Sequence, residues 1–236
     1  MGCVDSIDID LALQLGCPTK LGRSAKTLEA IVPIFSNPAF EVRSPLINAV
    51  RNADLEVFAA VKDIMKVSRL FNSGVAAKKL GARAFQDLIT TTCYRLLEIK
   101  PIGGRRCDMH PIANAIHLAL LSFMTTFLSQ IGPQRRLRYD LLSRKLIKAL
   151  DNPSFQSTVD PATHLWLLVM AGISVLSKHD HVWLKPRLAE AVEQFGFTDW
   201  QFSRRLLGKY PWVGELHDQP ACQLWAACFP PVIYNE

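Results

Sequence analysis

What this 236-residue chain lacks is paired chemistry. Its six cysteines, Cys3, Cys17, Cys93, Cys107, Cys222 and Cys228, stand far apart, none closer than Cys222 and Cys228. A structural zinc site takes four ligands, commonly in close pairs, so this spacing offers neither a metal framework nor a disulfide pattern. G-x-S-x-G, H-E-x-x-H, the Walker loop and G-x-G-x-x-G are all missing. No catalytic residue, cofactor site or metal ligand is therefore assigned, and the chain reads as a non-enzyme. No secretory apolar core opens it, which points to an intracellular setting with reduced thiols. Long low-complexity stretches and internal repeats are absent too. With 49% hydrophobic and 20% charged residues, the composition excludes a disordered class.

What is present reads as helix. Ser44-Pro45 pairs an N-cap with a proline at the first helical position and leads into Leu46, Val50, Leu55, Phe58 and Val61. From Ala82 to Ile99, Phe85, Leu88, Ile89, Cys93, Leu96 and Leu97 recur at three- and four-residue steps, the period of an amphipathic helix. Asp160-Pro161 is a further start signal, and Thr198 with Gln201 fits a capping box. Pro153, Pro211, Pro220 and Pro230-Pro231 are read as ends or loops. The first forty residues are ambiguous, because Ile7, Ile9, Leu11, Leu13 and Leu15 alternate as in a strand. No partner strand follows to satisfy the backbone, so a helix is expected here as well. Five tryptophans, Trp166, Trp183, Trp200, Trp212 and Trp225, punctuate the last third and predict one packed core. The expected architecture is all-α, a single large irregular multi-helix domain over residues 1–236 with nine to eleven helices and essentially no strand.

Several segments are candidates for function. Met1-Gly-Cys-Val-Asp-Ser6 matches the myristoylation pattern, with Gly2 as acceptor and Cys3 available for palmitate, and two chains anchor a protein stably. Asp5 weighs against it, as does the want of a basic run close behind. Residues 111–134 carry no charge, and Ile112–Ile131 is long enough to span a bilayer. Asn114, His117 and Gln130 are costly in lipid, so a buried helix is expected and a membrane span is not. Between Gln134 and Leu150, Arg135, Arg136, Arg138, Arg144, Lys145 and Lys148 face a single acid, Asp140. That basic helix is either a solvated face or a surface for phosphate or anionic lipid. Cys107-Asp-Met-His110 and His179-Asp-His181 look like fragments of metal sites but find no partner pair. Gly103-Gly104-Arg105-Arg106 reads as a turn, with loose anion binding as the alternative.

Four stretches resemble the fungal-specific transcription factor domain, the helical regulatory part of proteins built on a binuclear zinc cluster. They are Leu13-Gln-Leu-Gly16-Cys-Pro18; Tyr94-Arg95-Leu96-Leu97 with the charge-free helix from Pro111; Leu165-Trp166-Leu167-Leu168; and Tyr210-Pro211-Trp212 through His217-Asp218 to Leu224-Trp225. In that family, closely paired cysteines hold the DNA-reading cluster, and this chain has no such pairs. The resemblance implies a regulatory domain without its DNA reader, a truncated product or a cofactor-like relative. It implies a nuclear transcription regulator, linked to genes such as those of a biosynthetic cluster, with no sequence-specific DNA binding alone. Its partners would be proteins, a full-length factor or a second copy. The alternative is a dual-acylated peripheral protein, through Gly2 and Cys3, on the cytoplasmic face of a membrane.

Overall fold

A computed structural model describes residues 2–21, 27–37, 40–74, 80–104, 109–131, 138–196 and 199–229. These form twelve α-helices and no strand. The first six are α1 (Gly2–Leu15), α2 (Leu28–Ile31), α3 (Pro45–Val50), α4 (Leu55–Asn72), α5 (Ala82–Ile99) and α6 (Pro111–Ile131). Then come α7 (Asp140–Leu150), α8 (Pro153–Gln156), α9 (Pro161–Ser174), α10 (His181–Glu193), α11 (Trp200–Leu207) and α12 (Gly214–Cys228). The all-α expectation holds. The count exceeds the expected range because α2 and α8 are single turns of four residues each.

The starts follow local chemistry. Asp54 accepts from the backbone N–H groups of Glu56 (2.9 Å) and Val57 (3.0 Å). Asp160 accepts from Thr163 N–H at 2.9 Å, with Pro161 in the first turn. Each cap satisfies donors that a helix start otherwise leaves orphaned. Three expectations need correction. The run from Ser44 is two helices, since residues 51–53 turn and Asp54 caps the second. The cap of α11 is Asp199, one residue later than expected, accepting from Gln201 and Phe202; Thr198 lies outside the described residues. Pro220 sits inside α12 rather than at an end. It removes one bond to the Leu216 carbonyl, and burial of His217, Ala221, Leu224 and Trp225 on both sides keeps the helix continuous.

Helix α6 is the axis of the molecule and packs against α3, α4, α5, α7 and α9. It is long and apolar enough to cross a bilayer, yet it is mostly buried among these neighbours. Two of its buried hydroxyls are satisfied within the helix: Ser122 Oγ donates to the Leu118 carbonyl (2.9 Å) and Thr125 Oγ1 to that of Ser122 (2.7 Å). Among the described residues the basic stretch is helical from Asp140; Arg138 precedes the helix, and Arg135 and Arg136 lie outside the described residues.

Candidate functional site

A connected polar cluster lies where α9, α11 and α12 meet α6. Trp166 is fully buried, stacks on Tyr210 (ring centroids 5.8 Å apart, 13° between planes) and donates to the Pro211 carbonyl at 3.1 Å. Trp212 donates from Nε1 to Asp218 at 2.7 Å, and Asp218 also pairs with Arg204. Asn72 reaches in from α4, donating to the Trp212 carbonyl (2.6 Å) and accepting from Gly214 N–H (3.0 Å). Buried indole N–H groups need such acceptors, and here the loop before α12 supplies one and Asp218 within α12 the other. Of the five tryptophans, Trp166, Trp212 and Trp225 are buried, whereas Trp183 and Trp200 pack half-buried against the core. An open cavity of about 380 Å³ adjoins this cluster, lined by Val42, Arg43, Met65, Asn72, Tyr210 and Trp212 among others.

His217 is the hinge of the cluster. Its Nδ1 accepts from Val213 N–H at 2.9 Å, so the ring proton sits on Nε2, 3.0 Å from Thr126 Oγ1. That hydroxyl in turn donates to the Phe123 carbonyl (2.7 Å). The ring lies between Phe123 and Trp212, and burial pushes its pKa down to about 3. His117, fully buried, has Nε2 at 2.8 Å from the Leu96 carbonyl and a pKa pushed down to about 4, again by burial. Both rings are neutral core groups. The ordinary histidine value is 6.5, so the unfolded chain binds more protons than the folded one between these limits. Their contribution to stability is complete above about pH 6.5 and is lost as pH falls toward 4, at about 1.4 kcal/mol per pH unit for each ring. Urea unfolding should show this loss. His217→Gln, which keeps a donor for Thr126, should remove one ring's share of the slope; parallel pH curves for variant and wild type would refute the assignment.

The two fragments that look like parts of metal sites are only partly described. Cys107 lies outside the described residues, and His110 accepts from Ile112 N–H through Nδ1 at 3.3 Å. Asp180, between His179 and His181, is used in a capping box with Ser177. No group of three histidine, cysteine or acidic side chains close enough to hold a metal occurs among the described residues. Cys93 is buried beside Asp10, and burial holds its thiol far above the ordinary range, which makes it unreactive. A smaller cavity of about 190 Å³ between α4 and α5 holds the Asp63–Arg95 ion pair at 2.6 Å. Burial raises the Asp63 carboxyl, and Arg95 opposes that rise.

The Leu15–Pro18 segment and the glycine turn prove to be one structural unit. Gly16 ends α1 with a φ of 70° and donates to the Ala12 carbonyl at 3.0 Å, the left-handed cap that favours glycine. A Cβ on it would lie 2.8 Å from Gly103 Cα. Gly103 therefore serves a close backbone contact; Arg105 and Arg106, the proposed anion ligands, lie outside the described residues.

Gly2 and Cys3 open α1, and their side chains lie outside the described part of the structure. The remainder of α1 carries a feature the sequence reading missed. Ile9, Ala12 and Leu13 are buried, while Val4, Ile7, Leu11 and Leu15 stand outward at 56%, 51%, 44% and 69% exposure. Two of its acids, Asp8 and Asp10, are turned onto tyrosines instead. Asp8 accepts from Tyr94 Oη (3.2 Å) and from Lys20 N–H (2.9 Å), and Asp10 accepts from Tyr139 Oη (2.8 Å). The signal was the strict alternation itself. On a helix it places two i, i+4 series on opposite faces, one for the core and one for something else.

No known family model, characterised protein or solved structure matches this chain.

Proposed function

We propose that this chain is a transcription regulator that works through protein contacts, a helical regulatory domain with no DNA-reading module of its own. One observation carries the reading: the separate segments that bear the family resemblance bond to one another. Trp166 of the first C-terminal segment donates to Pro211 of the second. His217 ties that segment to the charge-free helix through Thr126. Such segments are read as the parts that specify a fold, with the working surface outside them.

The test is made in cells. With a tag at its C-terminus the protein should enter the nucleus, and fusion to a heterologous DNA-binding domain should change transcription of a reporter. An unchanged reporter together with exclusion from the nucleus defeats the reading. A second reading, acylation at Gly2 and Cys3, rests on the match of Met1-Gly-Cys-Val-Asp-Ser6 to the myristoylation pattern. It predicts a membrane rim that disappears in Gly2→Ala. On DNA itself, contacts are expected only from exposed cations such as Arg144 and Lys148, which meet phosphates and carry no sequence information. Affinity for random and promoter duplexes should therefore be equal and salt-sensitive, in the range of roughly 10⁻⁴ to 10⁻⁶ M. Discriminating nanomolar binding in a gel-shift titration at physiological salt overturns this.

A further inference from the structure

We infer that the outer seam of α1, with the cationic edge of α7 beside it, is the docking surface for an amphipathic helix of a partner protein whose apolar stripe is flanked by acidic residues. This rests on the reading of the chain as a contact module and names the surface and its partner's chemistry. Val4, Ile7, Leu11 and Leu15 fall within an arc of about 80° on the helix and run for about three turns. An arc that narrow is a helix-pairing seam, whereas a helix lying in a bilayer surface presents a broad apolar face with aromatic residues. Helix α7 packs directly against α1. The Tyr139–Asp10 hydrogen bond fixes its start there, and the Leu141 side chain meets the end of α1 at Gly16. Arg144, Lys145 and Lys148 follow Leu141 at three, four and seven residues and so share its face. Arg144 and Lys148 are exposed, while Asp8 and Asp10 are turned inward onto tyrosines.

The occupant follows from charge and area. Four half-exposed aliphatic side chains offer on the order of 400 Å² per copy, against roughly 800 Å² per partner in a standard stable interface. A second copy would add the self-repulsion of two chains of net charge +6. A helix with acidic flanks meets both features at once, the seam with its leucines and the α7 row with its carboxylates. The interface belongs to the small, transient class.

Two labelled synthetic peptides test this by fluorescence anisotropy against the full chain. Both carry the same leucine seam; one is flanked by Glu and the other by Lys. The Glu-flanked peptide should bind with a Kd of about 10⁻⁵ M, and the Lys-flanked one roughly tenfold or more weakly. Leu11→Glu should weaken binding of the acidic peptide by roughly tenfold or more, with the melting temperature unchanged. Arg144→Glu with Lys148→Glu, which leaves α1 untouched, should weaken it similarly and abolish its salt dependence. The inference is overturned by absence of binding at about 1 mM, by equal affinity for the two peptides, or by full binding in Leu11→Glu. It is overturned equally if the seam serves phosphatidylserine vesicles or self-association instead, as cosedimentation and sedimentation velocity would show. Failure here alongside an active tethered reporter removes only this surface; peptide binding alongside an unchanged reporter and exclusion from the nucleus removes the regulatory reading.

Discussion

Trp166→Ala is expected to cost about 4–5 kcal/mol of stability, the upper end of the range for removing a large buried side chain. Three losses combine. The void opens at a fully buried position, the stack on Tyr210 disappears, and the Pro211 carbonyl loses its indole donor. Against a total of about 5–15 kcal/mol for a typical domain, that loss brings the chain close to unfolding at ordinary temperature. The melting temperature should fall by about 10 °C or more. Trp166→Phe fills much of the void and leaves the carbonyl unpaired, so it should recover over half of the loss. A melting temperature for Trp166→Ala within about 3 °C of wild type would show that α9 is not anchored through this residue.

The second large effect is expected at a residue with no side chain. In Gly103→Ala the new Cβ would overlap the Gly16 carbonyl oxygen, and backbone, unlike a flexible side chain, cannot swing aside. Either α1 lifts off or the turn after α5 shifts, and the cost should be about 3 kcal/mol, comparable to overpacking a core. Gly104→Ala is the control, since the nearest atom its Cβ meets is the Pro101 carbonyl oxygen, at 3.1 Å, a contact that small adjustments relieve. Hydrogen exchange should report the difference: amides of α1 lose protection in Gly103→Ala and keep it in Gly104→Ala. Uniform protection in both variants would show that the Gly16–Gly103 contact does not hold α1 in place.

Much of the fold was legible because its signals are local. The period of Phe85, Leu88, Ile89, Cys93, Leu96 and Leu97 marks α5 over Ala82–Ile99, as observed, since a helix face repeats within one turn. Ser44-Pro45 and Asp160-Pro161 start helices because cap and proline act on the adjacent amides. Pro220 misled for the complementary reason. Its local preference is to end a helix, and burial of Trp225, Leu224 and His217 on either side outweighs one missing hydrogen bond. The metal fragments were legible only as residue types, and Asp180 could not be seen to belong to a cap without its geometry.

The sequence by itself determined that the chain is helical, that residues 111–131 form an uncharged central helix, and that the tryptophan-rich third forms a core. Periodicity, capping and composition act within a few residues, so they survive without knowledge of the neighbours. Only the tertiary structure decided which apolar residues the core takes and which it leaves. Ile9 and Leu13 are sealed against α5, while Ile7, Leu11 and Leu15, two residues away in each case, face outward. Hydrophobicity is the same on both faces; the difference is made by Tyr94 and Tyr139, which reach Asp8 and Asp10 from 86 and 129 residues away and fix the rotation of α1.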